Sequence, residues 1–490
     1  MNYMFLKSGT DVRGIASDLG GKAVELTNEA VYDISAAFVV WCVNKFSKAS
    51  NELKIALGHD SRITADIISE QVKSALTNAG VTVLDCGLAS TPAMFMTTVD
   101  LHTDAAIQIT ASHHPFDRNG LKFFIGTGGL EGSDITEILK LAENGEECIS
   151  ETKGTVKNSD YMKDYAARLR NMIIGEVGKG DTPLKNYHIV VDAGNGVGGF
   201  YADEVLSPLG ADVTGSQFLD PDGMFPNHIP NPENKQAIES ICDAVKKNNA
   251  DFGVIFDTDV DRAGCVDADG NEINRNRLIA LAAYIALGGK KGGTIVTDSV
   301  TSDGLKKYIN EDLGGVHYRY RRGYKNVINK AIELCEQGID CPLAIETSGH
   351  AALKENYFLD DGAYLATKII IELAKGTDIK QLLISLEMPA EEEEHRFNIK
   401  TDDFRSYGEM VITNLEKFAE QKSDYIIADD NREGIRVSTP NGWFLLRLSV
   451  HDPVMPMNFE SNKPGGIQTM KNELRTFFEG FSELEMPKLF

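Results

Sequence analysis

Ser112 stands in "AAIQITASHHPFDRNGLKFF", residues 105–124, followed directly by His113, His114 and Pro115. Four readings are open to it: a hydrolase nucleophile, a neighbour of a metal site, a carrier of a phosphoryl group, or a polar turn closing a strand. A hydrolase on an α/β scaffold sets its serine in G-x-S-x-G, whereas Ala111 and His113 flank this one. Adjacent side chains in an extended loop point apart, so His113 is a poor base for its neighbour. Zinc on His113 and His114 would need a third ligand at suitable spacing, and none is evident. A phosphoryl group fits better. It brings about −2 charge and calls for a cation and basic side chains. His113 or His114 would then orient the loop or hydrogen-bond the phosphate, with plain packing as the other role open to them.

A second polar stretch, "DTDVDR" (257–262), alternates Asp257, Asp259 and Asp261. Three carboxylates without a cation repel one another, and oxygen ligands with no His or Cys favour Mg²⁺ over zinc. The bland alternative is a solvated acidic turn. The loop also resembles the DxDxV opening of haloacid-dehalogenase-type phosphatases, in which the first Asp would be the nucleophile. Arg262 and Lys122 are the basic groups within reach of a phosphoserine. Lys122 lies ten residues after Ser112, and a turn through Asn119-Gly120 would fold it back as a candidate general acid/base. A third stretch, "ETSGH" (346–350), offers Glu346, Ser348 and His350, a set suited to sugar hydroxyls.

Each stretch follows an apolar run: "AAIQI", "DFGVIF" and "CPLAI". In α/β domains the loops at the carboxyl ends of strands build the site. Strand-like runs such as "KIALG" (54–58) and "VTVLDCG" (81–87) alternate with helix-like segments such as "ADIISEQVKSALTNAG" (65–80), which predicts largely parallel, buried sheets. The pattern restarts at "NYHIVVDAGNGVGG" (186–199) and at "GGTIVTDSVTSDGL" (292–305). The glycines of the former make only a weak dinucleotide fingerprint, with no strand-ending acid about 20 residues on. The run of Glu in "EMPAEEEEHRFN" (387–398) reads as a solvated connector and the last domain boundary. Beyond it, "GIRVSTPNGWFLLRLSV" (434–450) reads as a hairpin turning at Asn441-Gly442.

A chain of 490 residues exceeds one core, so several domains are expected. The net charge of −24 argues against nucleic acid and anionic membrane as partners. A local cluster of Arg and Lys can still hold a small anion. Seven scattered cysteines suit a reducing compartment. The N-terminus carries no apolar stretch long enough for a signal peptide, and "LIALAAYIAL" (278–287) is about half of a ~20-residue span. A cytoplasmic protein is expected.

Together the motifs resemble the α-D-phosphohexomutases, the phosphoglucomutase/phosphomannomutase superfamily. "SGTDVRG" (8–14), "LGHDSR" (57–62), "TASHHP" (110–115), "DPDGMFPNHIPNPE" (220–233), "DTDVDR" and "ETSGH" follow in the family's order over nearly the whole chain. The resemblance implies four domains around a central cleft: α/β domains at 1–158, 159–272 and 273–387, and an α+β domain at 388–490. It implies a phosphorylated Ser112, and Mg²⁺ held by Asp257, Asp259, Asp261 and that phosphate. Arg13, Lys122 and Arg262 would assist transfer, with His113 in the same loop, and Glu346 and Ser348 would hold sugar hydroxyls. Lys325 in "RRGYKN" would lie near the substrate phosphate. In the fourth domain the family's R-P-S-G-T-E-P, which implies a grip on the substrate phosphate by Arg447, Ser449 and His451, becomes "RLSVHDP". Arg447 and Ser449 remain, while Val450 and His451 replace Gly and Thr. Glycine's backbone freedom is lost there, and His451 can still donate a hydrogen bond.

The implied reaction moves phosphate between O1 and O6 of one hexose through a hexose 1,6-bisphosphate that turns over in the cleft, with glucose 1,6-bisphosphate as activator. The fourth domain is expected to hinge near 387–398. Hexose phosphates of glucose or mannose are the expected substrates, and a monomer or homodimer the expected assembly. Three alternatives remain: a phosphoglucosamine mutase, a phosphatase acting through Asp257, and a non-catalytic sugar-phosphate binder.

Overall fold

The computed structural model describes residues 2–449, 452–488 and 490, so His451, expected to help bind the substrate phosphate, lies outside the described residues. The chain divides into two compact units, Met1–Leu278 with Ser348–Lys380, and Ile279–Thr347 with Gln381–Phe490.

In the first unit, strand Lys54–His59 lies between Ala105–Ile109 and Thr82–Leu88 and parallel to both. Its central residues are fully buried, as a strand covered on both faces requires. Helix Asn28–Phe46 and neighbouring apolar side chains fill the core of this first domain. Strand Arg118–Ile125 returns antiparallel to Ala105–Ile109 and sets Lys122 opposite Gln108. Asn119-Gly120 is therefore not the turn. Both residues already belong to the strand, and the Ser112 loop itself makes the reversal. Gly120 is needed there because a Cβ would lie 2.3 Å from the Val12 carbonyl oxygen of the next strand.

The second sheet of this unit runs in the order Glu272–Ile273, Ala263–Asp267, Phe252–Phe256, Ile189–Asp192. Phe252–Phe256 is parallel to Ile189–Asp192 and antiparallel to Ala263–Asp267, with Phe256 opposite Ala263. The stretch 257–262 is thus the tip of a buried hairpin. Strands Ala351–Leu353 and Leu359–Asp360 pair antiparallel and lead into helix Gly362–Lys375.

In the second unit, Thr294–Thr297 is parallel to Val316–Arg319 and to Leu343–Ile345. The C-terminal part is an antiparallel sheet in the order Ile426–Ile427, Ile435–Thr439, Gly442–Leu446, Val454–Ser461, Glu391–Ile399, Leu484–Glu485. Helices Phe404–Glu420 and Gly466–Phe478 pack on its apolar face. Three α/β domains with mixed sheets are therefore followed by an α+β domain, as expected.

Two further local expectations fail. The Glu run is no connector: Glu391–Ile399 is an inner strand paired with Val454–Ser461. Its charges have partners. Glu391 accepts from the Gly465 and Ile467 N–H groups at the start of helix Gly466–Phe478, and Glu393 meets Lys471 at 2.9 Å. The hairpin turns at Pro440-Asn441, because Gly442 already pairs with Thr439. Among the described residues no helix is long and apolar enough to cross a membrane.

Candidate active site

The Ser112 loop and the 257–262 hairpin tip meet within the first unit. Ser112 Oγ donates to Asp257 Oδ2 at 3.0 Å and accepts from Arg262 Nη2 at 3.1 Å. Arg262 Nε and Nη2 also donate to Asp257 Oδ2, at 3.0 and 2.9 Å, and Nη1 donates to Asn231 Oδ1 at 3.2 Å. Lys122 is buried rather than solvated, and its ammonium meets Asp261 Oδ2 at 2.5 Å and Asp259 Oδ2 at 3.3 Å. Thr91 Oγ1 donates to the same Asp259 oxygen at 2.5 Å.

Backbone strain marks both loops. Ser112 has φ +50° and Val260 φ +64°, in the left-handed region where a β-branched residue is a true outlier. The surroundings hold the second loop: the Gly362 N–H donates to the Val260 carbonyl, and a Cβ on Gly362 would lie 2.5 Å from the Arg262 carbonyl carbon. Helix Gly362–Lys375 therefore starts directly against the hairpin tip.

The electrostatics follow from burial among paired charges. Burial raises the Asp261 carboxyl, but Lys122, His350 and Arg262 outweigh it and hold the group well below the usual carboxylate range. Burial likewise opposes the Arg262 charge, and Asp257 and Asp261 keep its pKa above the ordinary value. Burial and then the Arg262 charge push His113 down to about 2, so its imidazole is neutral. Its Nδ1, 2.6 Å from Arg262 Nη2, then accepts that bond.

Asp257, Asp259 and Asp261 bring carboxylate oxygens within 4.8 Å of one another, all fully buried. Among the described residues, Asp259 Oδ1 and Asp261 Oδ1 have no hydrogen-bond partner. An all-oxygen set with two buried, unsatisfied acceptors fits a hard divalent cation.

The other expected residues sit as follows. Arg13 pairs with Asp11 at 2.7 Å, and its charge contributes to lowering the His113 and His114 imidazoles. His350 Nδ1 lies 3.2 Å from Asp360 Oδ2 and 3.9 Å from Asp261 Oδ1, and Ser348 is buried in the same unit. In the second unit, Glu346 accepts from the Gly323 N–H at 2.6 Å, and Lys325 is in the first turn of helix Tyr324–Glu336. Arg447 Nη2 donates to Asn458 Oδ1 at 3.2 Å and lies among Glu433, Glu394 and Arg322. Ser449 Oγ accepts from the Asp452 N–H at 3.2 Å.

Sequence reasoning missed Thr91, Asn231, Asp360 and Arg62. Asn231 and Arg62 stood inside quoted motifs without a role. Thr91 opens helix Thr91–Asp100, which Ser90 caps.

The comparisons with known proteins agree with one another. Residues 8–148, 163–270 and 274–388 match phosphoglucomutase/phosphomannomutase alpha/beta/alpha domains I, II and III in turn. A phosphoglucomutase of Neisseria meningitidis is 31% identical over 482 residues, covering 97% of each chain. The chain belongs to the phosphoglucomutase/phosphomannomutase family. A phosphomannomutase/phosphoglucomutase of Pseudomonas putida is 29% identical over 479 residues, covering 97% of this chain and 96% of its own. The crystal structure of a family member from Burkholderia thailandensis superposes with a TM-score of 0.81 at 26% identity, over 98% of both chains.

Proposed function

We propose that the protein is a phosphohexomutase that interconverts hexose 1-phosphate and hexose 6-phosphate, with glucose and mannose phosphates as substrates. The observation that carries this reading is the contact of Ser112 Oγ with Asp257 and Arg262, beside a buried carboxylate trio. The names of the full-length relatives support the substrate class.

In this reading Ser112 stores a phosphoryl group. The sugar hydroxyl attacks its phosphorus. The Oγ–P bond breaks as the new O–P bond forms, and the bond electrons remain on Ser112 Oγ. Arg262, already donating to that oxygen, stabilises the charge it gains. Lys122 is the general acid/base: as the neutral amine it accepts the proton of the attacking hydroxyl, and as the ammonium it returns one to the sugar oxygen freed when the other phosphate goes back to Ser112. The hexose 1,6-bisphosphate then turns over and returns its other phosphate to Ser112. Asp257, Asp259 and Asp261 would hold Mg²⁺, which would neutralise phosphoryl charge when bound. Neutral His113 accepts from Arg262 and fixes its orientation. Arg13 adds positive charge at the loop. Glu346, Ser348 and His350 are assigned to the sugar hydroxyls, and Lys325, Arg447, Ser449 and His451 to the phosphate that does not react. Seven unpaired cysteines support a cytoplasmic setting, and a monomer or homodimer is the proposed assembly.

The test is a coupled assay of glucose 1-phosphate, mannose 1-phosphate and glucosamine 1-phosphate with catalytic glucose 1,6-bisphosphate, on native protein and on Ser112→Ala and Asp257→Asn. The mutase reading expects conversion of the glucose and mannose esters and a loss of at least ~1000-fold in Ser112→Ala. A phosphatase would release inorganic phosphate, survive Ser112→Ala and lose activity in Asp257→Asn. That outcome would refute the proposal.

A further inference from the structure

Arg62 follows strand Lys54–His59 and is 2% exposed. Its guanidinium reaches across to the Ser112 loop and donates to four main-chain carbonyls. Nη2 meets Ser112 O and His114 O, each at 2.5 Å, and Nη1 meets Pro115 O at 2.7 Å and Arg118 O at 2.8 Å. Asp60 balances the charge, with Oδ2 3.3 Å from Arg62 Nε, and Oδ1 accepts from the Arg62 N–H at 2.9 Å. The same aspartate accepts from Thr110 Oγ1 at 2.7 Å, and Thr110 Oγ1 accepts from the Ser112 N–H at 2.8 Å. One buried ion pair thus clamps both ends of the loop. The Phe225 ring lies 5.3 Å from the guanidinium carbon, and Gly223 packs so closely that a Cβ would stand 2.4 Å from the Ile63 nitrogen. Arg62 is sealed from water, where charge-assisted bonds are strongest.

The direction of these bonds matters for an anion. In a planar trans peptide the carbonyl and the following N–H point opposite ways. Carbonyls 112 and 115 turned toward Arg62 send the N–H groups of His113 and Phe116 to the other side of the loop. Among the described residues neither N–H has an acceptor. Two N–H groups without an acceptor, in a loop whose serine is held at φ +50°, are donors open to an anion.

We propose that Arg62 is the positioning residue of the phosphoryl-accepting loop, holding Ser112 in its left-handed conformation and turning the His113 and Phe116 N–H groups toward the phosphoryl group. The proposal rests on the mutase reading. Arg62 touches neither substrate nor reacting atoms in this role; it acts through the four carbonyls. Lysine cannot replace it, because one ammonium cannot span four acceptors that a planar fork reaches.

The test uses the full chain as native protein, Arg62→Lys and Arg62→Ala. Four quantities are measured: melting temperature, kcat, KM for glucose 1-phosphate, and the rate at which glucose 1,6-bisphosphate phosphorylates Ser112, read by peptide mass. Both variants are expected to keep KM within about threefold and to lose ~100-fold or more in kcat and in phosphorylation rate. Millimolar guanidinium, but not ammonium, is expected to restore Arg62→Ala at least ~10-fold. Amide exchange on native protein supplies a readout that no folding defect can reach: the His113 and Phe116 amides should become protected when Ser112 is phosphorylated. Near-native kcat in Arg62→Lys, a loss confined to KM, or unprotected amides would each overturn the proposal while leaving the mutase reading intact. If native protein takes no phosphate on Ser112, the mutase reading falls and this inference falls with it.

Discussion

Replacing Asp361 with Asn isolates one buried carboxyl and the pH dependence it imposes. Asp361 is 1% exposed and caps helix Gly362–Lys375, the helix that abuts the 257–262 tip. It accepts from Tyr165 Oη at 2.7 Å, from the Tyr364 N–H at 2.9 Å and from Asn356 Nδ2 at 3.2 Å. Burial outweighs these donors and raises its pKa from 3.8 to about 6. The folded chain therefore binds a proton between about pH 4 and 6 that the unfolded chain has released. Its contribution to stability is present below the unfolded pKa and falls as pH rises through the folded one. At about 1.4 kcal/mol per unit, the loss is on the order of 3 kcal/mol. Asn keeps the cap and the acceptor oxygen but does not titrate. Urea unfolding of native protein and Asp361→Asn at intervals from pH 4 to 7.5 measures the difference directly. Native stability relative to the variant should fall by about 3 kcal/mol across that window. A difference that stays flat, or rises with pH, refutes the assignment of a raised carboxyl at this position.

Two further outcomes follow from the site and the C-terminal domain. Asp261→Asn removes one charge from the oxygen set. Added Mg²⁺ should raise the melting temperature of native protein and not of the variant, and kcat should fall by ~100- to 1000-fold, the loss of several kcal/mol of charge stabilisation. Glu391→Ala removes the acceptor for two N–H groups at the start of helix Gly466–Phe478. It should cost about 1 kcal/mol in chemical denaturation, with Glu391→Gln recovering part of that.

The chemistry was more legible in the sequence than its setting. Ser112 and the three aspartates were readable because strand-then-polar-loop patterns expose their residue types at fixed spacing. Lys122 was readable as a partner but not its route: strand pairing with Gln108 brings it back, and pairing register is a long-range property. The Glu run misled for a related reason. Consecutive charges look solvated until the partners across the sheet and on helix Gly466–Phe478 are known, and those lie about 70 residues away. Arg62 was invisible as an organiser, because its partners are carbonyl oxygens, which every residue carries. The hairpin slipped by one position because Pro440-Asn441 turns as readily as Asn441-Gly442.

Lys122 sits between Asp259 and Asp261 with its own positive charge. A newly made chain can therefore complete its fold before any ion arrives, since the lysine quiets the repulsion that a bare acidic nest would suffer. Binding of a divalent cation would then exchange one cation for another without unravelling the hairpin. An apoprotein stripped by a chelator should thus remain intact and await recharging.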